Sequence, residues 1–331
     1  VGFLFLILFF TTTAKAQKEA ETFNVDSTLY EYYQRCQEYL LEPVVLNMSD
    51  TLFRMAGERQ DERMQAVAIA TQLDYYYFQG TNEDSVIHYT NKVKEFAKAT
   101  HQPKYYYFAW ANRLITYYLK TSRTNIALYE VQNMLKEAQE EDDKTGLSRC
   151  YNIMSQIYTI KRFDSMAFEW RLKEIELTEK YKIENYNISQ TYAQTANYYI
   201  NQKKQKEALA AVEKAIATAN SSTQQISAKL EFVNYYSKFG DFQAAEKLLK
   251  ECQAAFEQDK RLESIKKRLY NIECLYYQQT KQYQKALEAA KMQEKEERRL
   301  SESILSSIHY RTQGEIYQKM GNMNLAVKYL Q

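Results

Sequence analysis

The chain has 331 residues, of which 44 are Lys or Arg and 42 are Asp or Glu, so its formal net charge is +2. This balance disfavours a nucleic-acid-binding or anionic-membrane-binding protein, because such proteins carry a clear excess of basic residues. Only 7 residues are glycine and 2 are proline. Folds rich in tight turns need more of both, so the composition favours long helices joined by short connectors.

The first 16 residues resemble a secretory signal peptide. Residues 1–10 form an uncharged apolar run, and Ala14, Lys15 and Ala16 have the small-x-small pattern of a cleavage site. The run is shorter than the roughly 20 residues of a membrane-spanning helix. Residues 1–16 are therefore predicted to direct the protein to the periplasm or the extracytoplasmic face of the inner membrane. The basic residues that usually precede such a run are absent, and a retained anchor or a buried N-terminal helix is the alternative.

Residues 17–65 are predicted to hold a degenerate first helix pair, and residues 66–331 show an internal repeat. Seven tyrosines recur at spacings of 37–42 residues, and a small residue stands nine positions after each. The tyrosines are Tyr76, Tyr118, Tyr158, Tyr199, Tyr236, Tyr277 and Tyr317. The small residues are Ser85, Ala127, Ala167, Ala208, Ala245, Ala286 and Ala326. The alanines make the repeat independent of the abundance of tyrosine, of which the chain has 30.

Each repeat has the pattern of two amphipathic helices. In the first, aromatic and apolar residues recur at helical spacing, as in Tyr192, Ala196 and Tyr199. A short polar connector follows, in which Gly240 or Gly321 is suited to end the first helix in a left-handed conformation. The small residue near the start of the second helix lets the two helices approach closely. The pattern therefore predicts antiparallel helix pairs.

The repeat resembles the tetratricopeptide repeat family. Its pattern of G-x-x-Y on the first helix and A-x-x-x-F on the second is approached by Gly314, Tyr317, Ala326 and Leu330, with Gly321 in the connector. The resemblance implies an all-α fold, a tetratricopeptide-like helix-turn-helix solenoid (superhelix) of about seven to eight units. HEAT-type repeats, which share a period of about 40 residues, are the alternative.

Two features depart from the family pattern. The period of 37–42 residues exceeds the family's 34, so a longer second helix or a longer link to the next pair is expected after the small residue. The array reaches Gln331 inside the second helix of its last pair, and we expect it to be truncated in that repeat.

The resemblance also implies that the first helices line a concave groove where partners bind. Amide side chains occupy positions aligned with that groove: Asn112, Asn152, Gln156, Asn197, Asn234 and Asn271. Such side chains both donate and accept hydrogen bonds, which suits a protein or an extended peptide as the partner. The alternative is that these amides are solvated or bond within their own helices. The lysine with which some family members clamp a C-terminal carboxylate is absent from the aligned position.

The chain lacks the sequence motifs of common catalytic and cofactor sites. It contains no phosphate-binding loop, no H-E-x-x-H and no G-x-S-x-G. The cysteines, Cys36, Cys150, Cys252 and Cys274, lack metal-site spacing and are expected to be buried. A disulfide between Cys252 and Cys274 is the alternative for that pair. The aromatic run 105–108 is expected to pack between helices, and the acidic run 140–143 to be a solvated helix end.

These features predict a non-catalytic interaction solenoid without a cofactor or metal. The combination resembles the extracytoplasmic sensory part of bacterial signal-transduction proteins that end in a histidine kinase or a transcriptional regulator. The main alternative is a free-standing periplasmic or surface scaffold. An enzyme with a catalytic domain downstream and a cytoplasmic adaptor are further alternatives. We expect no nucleic-acid partner in this segment and membrane contact only through a C-terminal span. Exposed end faces would allow a homodimer.

Overall fold

The computed structural model describes residues 25–299 and 306–331, which form helices and turns without any β-strand. The predicted signal peptide, residues 1–16, lies outside these residues. Contacts divide the chain into two compact units, with the boundary between Lys161 and Arg162. None of the described helices is long and apolar enough to cross a membrane.

The first unit contains seven helices among its described residues. They are α1 (Ser27–Glu38), α2 (Val44–Glu58), α3 (Glu62–Gln79), α4 (Glu83–Ala99), α5 (103–120), α6 (Thr124–Glu140) and α7 (Lys144–Ile160). Helix α5 is α-helical over Pro103–Ala109 and Thr116–Lys120, with a π-helical segment, Trp110–Ile115, between them.

The second unit contains nine helices among its described residues. They are α8 (Asp164–Tyr181), α9 (Ile188–Asn201), α10 (Gln205–Ala217), α11 (Ser222–Phe239), α12 (Phe242–Gln258), α13 (Lys266–Gln279), α14 (Tyr283–Arg299), α15 (Ser306–Lys319) and α16 (Met323–Leu330). A 3-10 helix, Lys260–Ile265, precedes α13.

Within each unit the helices follow one another as antiparallel pairs, and the predicted all-α helix-pair fold is confirmed. The degenerate first pair is α1 and α2. Each later pair within a unit holds a repeat tyrosine in its first helix and the matching small residue in its second. In the remaining repeat, Tyr158 lies on α7 and Ala167 on α8, on the two sides of the unit boundary. All six repeat alanines are buried, with none more than 2% exposed. In the first repeat Ser85 is half-buried, and the adjacent Val86 is the fully buried residue. Close helix approach therefore explains the small-residue register.

The turn between the two helices of a repeat has a constant geometry. The residue four positions after each repeat tyrosine has a positive φ, between 58° and 89°. These residues are Gly80, Ser122, Arg162, Lys203, Gly240, Lys281 and Gly321. In at least five of the seven turns the next backbone N–H donates to the tyrosine carbonyl, as in Asp241 to Tyr236 at 2.9 Å. This left-handed conformation was predicted for the glycines, and the structure shows it also at four positions occupied by Ser, Arg or Lys.

The variation in repeat length has a structural cause. The shortest spacing, from Tyr199 to Tyr236, contains the 13-residue helix α10. The second helices α4, α6, α8, α12 and α14 have 17 or 18 residues. The extra residues of the repeat therefore lengthen the second helix, which was one of the two predicted places for them. The longest spacing, from Tyr76 to Tyr118, contains the π-helical segment.

Candidate functional site

The first helices of consecutive pairs contact one another within each unit. In the first unit these are α3, α5 and α7, and in the second α9, α11 and α13. The six amides predicted from the sequence lie on these helices: Asn112 on α5, Asn152 and Gln156 on α7, Asn197 on α9, Asn234 on α11 and Asn271 on α13. They form two sets, one in each unit.

The first set belongs to a polar row that we call the α3–α5–α7 face. Its members are Asp74, Asn112, Arg113, Arg149, Asn152 and Gln156. Arg113 forms a two-pronged ion pair with Asp74, in which Nη2 lies 3.1 Å from Oδ2 and Nε donates to Oδ1. Arg149 Nη1 donates to Asn112 Oδ1 at 3.0 Å. Two charge-assisted contacts therefore join three successive first helices.

The π-helical segment explains how neighbouring residues of α5 contact two different helices, α3 and α6. Trp110 donates from Nε1 to Glu130 on α6 at 2.9 Å, whereas Arg113, three residues later, contacts Asp74 on α3. In an α-helix, residues three apart lie on one side. A π-helical turn holds more residues than an α-helical turn, so side chains three residues apart point in more widely different directions. Such turns are frequent at functional sites. The Thr116 hydroxyl bonds to the Ala111 carbonyl within this turn at 2.9 Å.

Aromatic rings surround the Arg113 guanidinium. Its Cζ lies 4.8 Å from the centre of the Phe108 ring and 5.1 Å from that of Tyr77. Lys120 Nζ lies 4.1 Å from the same Tyr77 ring, and the neighbouring Phe78 is 48% exposed. Cations over aromatic rings are attracted to them, by more where water is excluded. The α3–α5–α7 face is therefore cationic and aromatic, a character that the amide positions alone did not predict.

Asn152 and Gln156 bond to each other along α7. Gln156 Nε2 donates to Asn152 Oδ1 at 2.7 Å, and both side chains are half-buried. Part of their hydrogen-bonding capacity is therefore used within the helix, as the alternative interpretation of the amides expected, while both remain accessible to solvent.

The second set surrounds a buried carboxylate, and we call it the α9–α11–α13 face. Its members are Asn197, Glu231, Asn234, Arg268 and Asn271. The Glu231 side chain is 3% exposed. It accepts from Asn197 at 3.1 Å and Asn234 at 2.7 Å on Oε1, and from Arg268 at 3.0 Å on Oε2.

This network changes the role of two predicted residues. Asn197 and Asn234 hold Glu231, so their amide nitrogens already donate within the protein. Asn271 is exposed and lies one turn after Arg268 on α13. Neither Glu231 nor Arg268 was predicted from the sequence. The predicted amides lie six or two residues before their repeat tyrosine, whereas Glu231 lies five before Tyr236 and Arg268 nine before Tyr277.

The four cysteines are free and buried, so the structure has no disulfide between Cys252 and Cys274. Burial raises the pKa of the Cys36 and Cys252 thiols to about 11. Burial likewise raises the pKa of Cys150 and Cys274. Protonated, buried thiols are poor nucleophiles. Within residues 25–299 and 306–331, no group of three His, Cys, Asp or Glu side chains is arranged to hold a metal ion.

No protein-family model and no curated protein matches this chain. Among solved structures, the apo form of the quorum sensor NprR from B. thuringiensis is similar, with a TM-score of 0.54 and 15% identity over 95% of this chain and 89% of that one. A Rap protein complexed with Competence and Sporulation Factor has a TM-score of 0.53 and 12% identity over 91% of this chain and 85% of that one. Identities this low show the fold alone. That fold is the predicted tetratricopeptide-like helical repeat.

Proposed function

We propose that this chain is a non-catalytic repeat domain that binds a protein or an extended peptide on its first-helix faces. The observation that carries the proposal is the pair of polar rows, each of which spans three adjacent first helices. An ion pair joins two helices of each row, Asp74–Arg113 or Glu231–Arg268, and a hydrogen bond joins the third, Arg149–Asn112 or Asn197–Glu231. Side chains held in place before binding lose little conformational entropy when a partner arrives.

Two further observations support this function. A Rap protein, which has a similar fold, is complexed with Competence and Sporulation Factor in its solved structure. The α3–α5–α7 face also has aromatic side chains beside its polar groups, such as Phe78, whose ring centre lies 5.8 Å from Arg113 Cζ and which is 48% exposed. Exposed aromatic residues and arginines are the usual anchors of protein interfaces.

The binding function is tested with a peptide selected on the purified full chain from a random peptide library. Its Kd is then measured calorimetrically for the parent protein and for Asn152→Ala and Asn271→Ala, one variant on each face. We expect about a tenfold weaker Kd for at least one variant, the effect of one lost hydrogen bond of average strength in a bound complex. Asn197 and Asn234 are unsuitable for this test, because replacing either would also remove a hydrogen-bond donor from the buried Glu231 carboxylate.

The matched control is Gln284→Ala, which removes an exposed amide from the second helix α14. Its Kd is expected to equal that of the parent, and the far-UV circular dichroism of all three variants should match. Unchanged affinity in both face variants, or an equal loss in the control, would contradict the assignment of the faces.

We further propose that the chain is exported and forms the extracytoplasmic sensory part of a bacterial signal-transduction protein, a histidine kinase or a transcriptional regulator. The apolar run and the Ala14–Ala16 pattern support export. The test fuses residues 1–30, behind an added Met-Lys, to a β-lactamase without its own signal. Ampicillin resistance that is lost on Leu6→Arg with Leu8→Arg supports export, and absence of resistance contradicts it.

A free-standing periplasmic or surface scaffold is the alternative. Sequencing the gene beyond codon 331 separates the two. An apolar span of about 20 residues followed by a kinase or DNA-binding segment supports the sensor. One more helix with a polar outer face and a stop codon supports the scaffold.

A further inference from the structure

A cleft lies between α4 and α6 in the first unit. It has a volume of about 480 Å³ and shares no residue with the α3–α5–α7 face. Its lining consists of Lys94, Lys98, Trp110, Asn133, Lys136, Glu137, Glu140 and Glu141. The volume is within the range of small-molecule sites, roughly 300–1,000 Å³. Three lysines and three glutamates leave the lining without net charge.

Buried aromatic side chains on α5 fix the acidic wall of the cleft. The Tyr106 hydroxyl donates to Glu137 Oε2 and the Tyr107 hydroxyl to Glu141 Oε2, each at 3.0 Å. The two tyrosines are 1% and 0% exposed. Burial, together with the neighbouring carboxylates, raises the pKa of both phenols. Both therefore stay protonated and hold the glutamates in fixed orientations.

The remaining oxygen of each glutamate contacts the same ammonium group. Lys98 Nζ donates to Glu137 Oε1 and, at 3.0 Å, to Glu141 Oε1. The cleft thus contains an ammonium site made of two preoriented carboxylates, and the protein's own lysine fills it. The Lys98 side chain is flexible and 42% exposed. Exposed ion pairs stabilise little, so a ligand's ammonium group could replace Lys98 at small cost.

Lys94 provides a fixed positive charge beside this site. Its Nζ lies 3.0 Å from Glu137 Oε2 and 4.6 Å and 5.0 Å from the ring centres of Tyr106 and Trp110. A ligand that displaced Lys98 would therefore meet Lys94 and the released Lys98. A ligand with only a positive charge would be repelled by both, whereas a ligand that also carries a carboxylate would bind them.

We propose that this cleft binds a small zwitterion with a primary ammonium group and a carboxylate, such as a free α-amino acid. The ammonium group binds between Glu137 and Glu141, and the carboxylate binds the lysines of α4. This site is separate from the peptide-binding faces, so that either proposal stands if the other fails.

Trp110 makes the proposal measurable, because it lines the cleft and the chain has only one other tryptophan, Trp170. In a Trp170→Phe protein, titration with the common L-amino acids should change the Trp110 emission saturably for at least one at millimolar concentration. Ethylammonium and acetate, each with one of the two charges, should give no saturable change.

Variants of the exposed charges test the assigned roles. In the Trp170→Phe background, Lys98→Ala should weaken amino-acid binding by about tenfold, because it removes one of the lysines that bind the carboxylate. It should also allow ethylammonium to bind, because it empties the ammonium site. Glu141→Gln should weaken amino-acid binding, because it removes one of the two carboxylate charges of the ammonium site, and ethylammonium should still give no saturable change. Lys250→Ala, which removes an exposed ion pair with Glu246 in the second unit, should change neither.

Two results would overturn the proposal. One is that no amino acid changes the Trp110 emission saturably. The other is that such a change persists with the same midpoint in Lys98→Ala and in Glu141→Gln, which would place the bound molecule elsewhere.

Discussion

Arg268 on α13 forms an ion pair with Glu231 on α11, with 3.0 Å between Nη2 and Oε2. The carboxylate side chain is 3% exposed, and the guanidinium side chain 25%. A buried charge is tolerated only when it is paired and hydrogen-bonded. Here the donors come from three helices, because Asn197 of α9 and Asn234 of α11 complete the shell. The network is therefore both part of a candidate binding face and a support of the second unit.

Removing Arg268 should destabilise the protein. Arg268→Ala leaves the Glu231 carboxylate buried with two neutral donors, and we expect the free energy of unfolding to fall by about 2–3 kcal/mol, somewhat less than for a fully buried pair. Urea denaturation followed by circular dichroism measures this loss. The control is Arg311→Ala, whose pair with Glu315 on α15 is exposed and should cost under about 0.5 kcal/mol. Equal losses in the two variants would show that Glu231 does not depend on its ion pair.

The Glu231 network illustrates how far the sequence predicted this site. The repeat register placed the amides on the first helices, because a residue's position in a repeat determines its side of the helix. The alternative, in which an amide bonds within its own helix, describes Asn234, which donates to Glu231 three residues earlier on α11. The sequence did not predict the contact of Glu231 with Arg268 on the first helix of the next repeat.

The π-helical segment and the α4–α6 cleft were also not predicted from the sequence. The run 105–108 was correctly expected to include packing residues, and Tyr106 and Tyr107 are buried. Their hydroxyl groups nevertheless bind glutamates on another helix, an arrangement that depends on the local geometry of α5. Periodicity predicts which residues are buried, but it does not predict where their polar atoms find partners.

The left-handed residue in each inter-helix turn gives a prediction with opposite signs at two equivalent positions. Lys281 has φ 60° and Gly240 has φ 89°. A side chain at such a φ costs about 1 kcal/mol, partly offset by the greater flexibility of glycine in the unfolded chain. Lys281→Gly should therefore raise the free energy of unfolding by about 0.5 kcal/mol, and Gly240→Ala should lower it by about 0.5 kcal/mol.

Urea denaturation of both variants checks this pair of effects. A Cβ on Gly240 would have no atom within 4 Å, so a loss there comes from the backbone and not from a clash. A stabilising Gly240→Ala, or a destabilising Lys281→Gly, would refute the proposed strain.

A second glycine prediction concerns the packing behind the α4–α6 cleft. A Cβ on Gly146 in α7 would lie 2.7 Å from Tyr107 Cζ, and the Tyr107 ring is completely buried. Gly146→Ala should therefore lower the unfolding free energy by about 2 kcal/mol through overpacking. Gly57→Ala is the control, because its Cβ would meet only the flexible end of Gln65. Thermal unfolding should show a lower midpoint for Gly146→Ala alone, and matching midpoints would contradict the rigid packing.

The acid dependence of stability should reveal the environment of Glu137. Burial raises its pKa, but hydrogen bonds from Lys98, Lys94 and Tyr106 outweigh burial, so that its pKa in the folded protein is lowered. A lowered folded pKa gives a stabilisation that is complete above the unfolded value of about 4.3 and is lost as the pH falls through the folded value. Glu137→Gln should therefore be less stable than the parent at pH about 7, and the two should converge as the pH falls below about 4. Urea denaturation at a series of pH values measures the difference, and a difference that stays constant down to the lowest pH would mean that the ion pairs of Glu137 do not stabilise its charge.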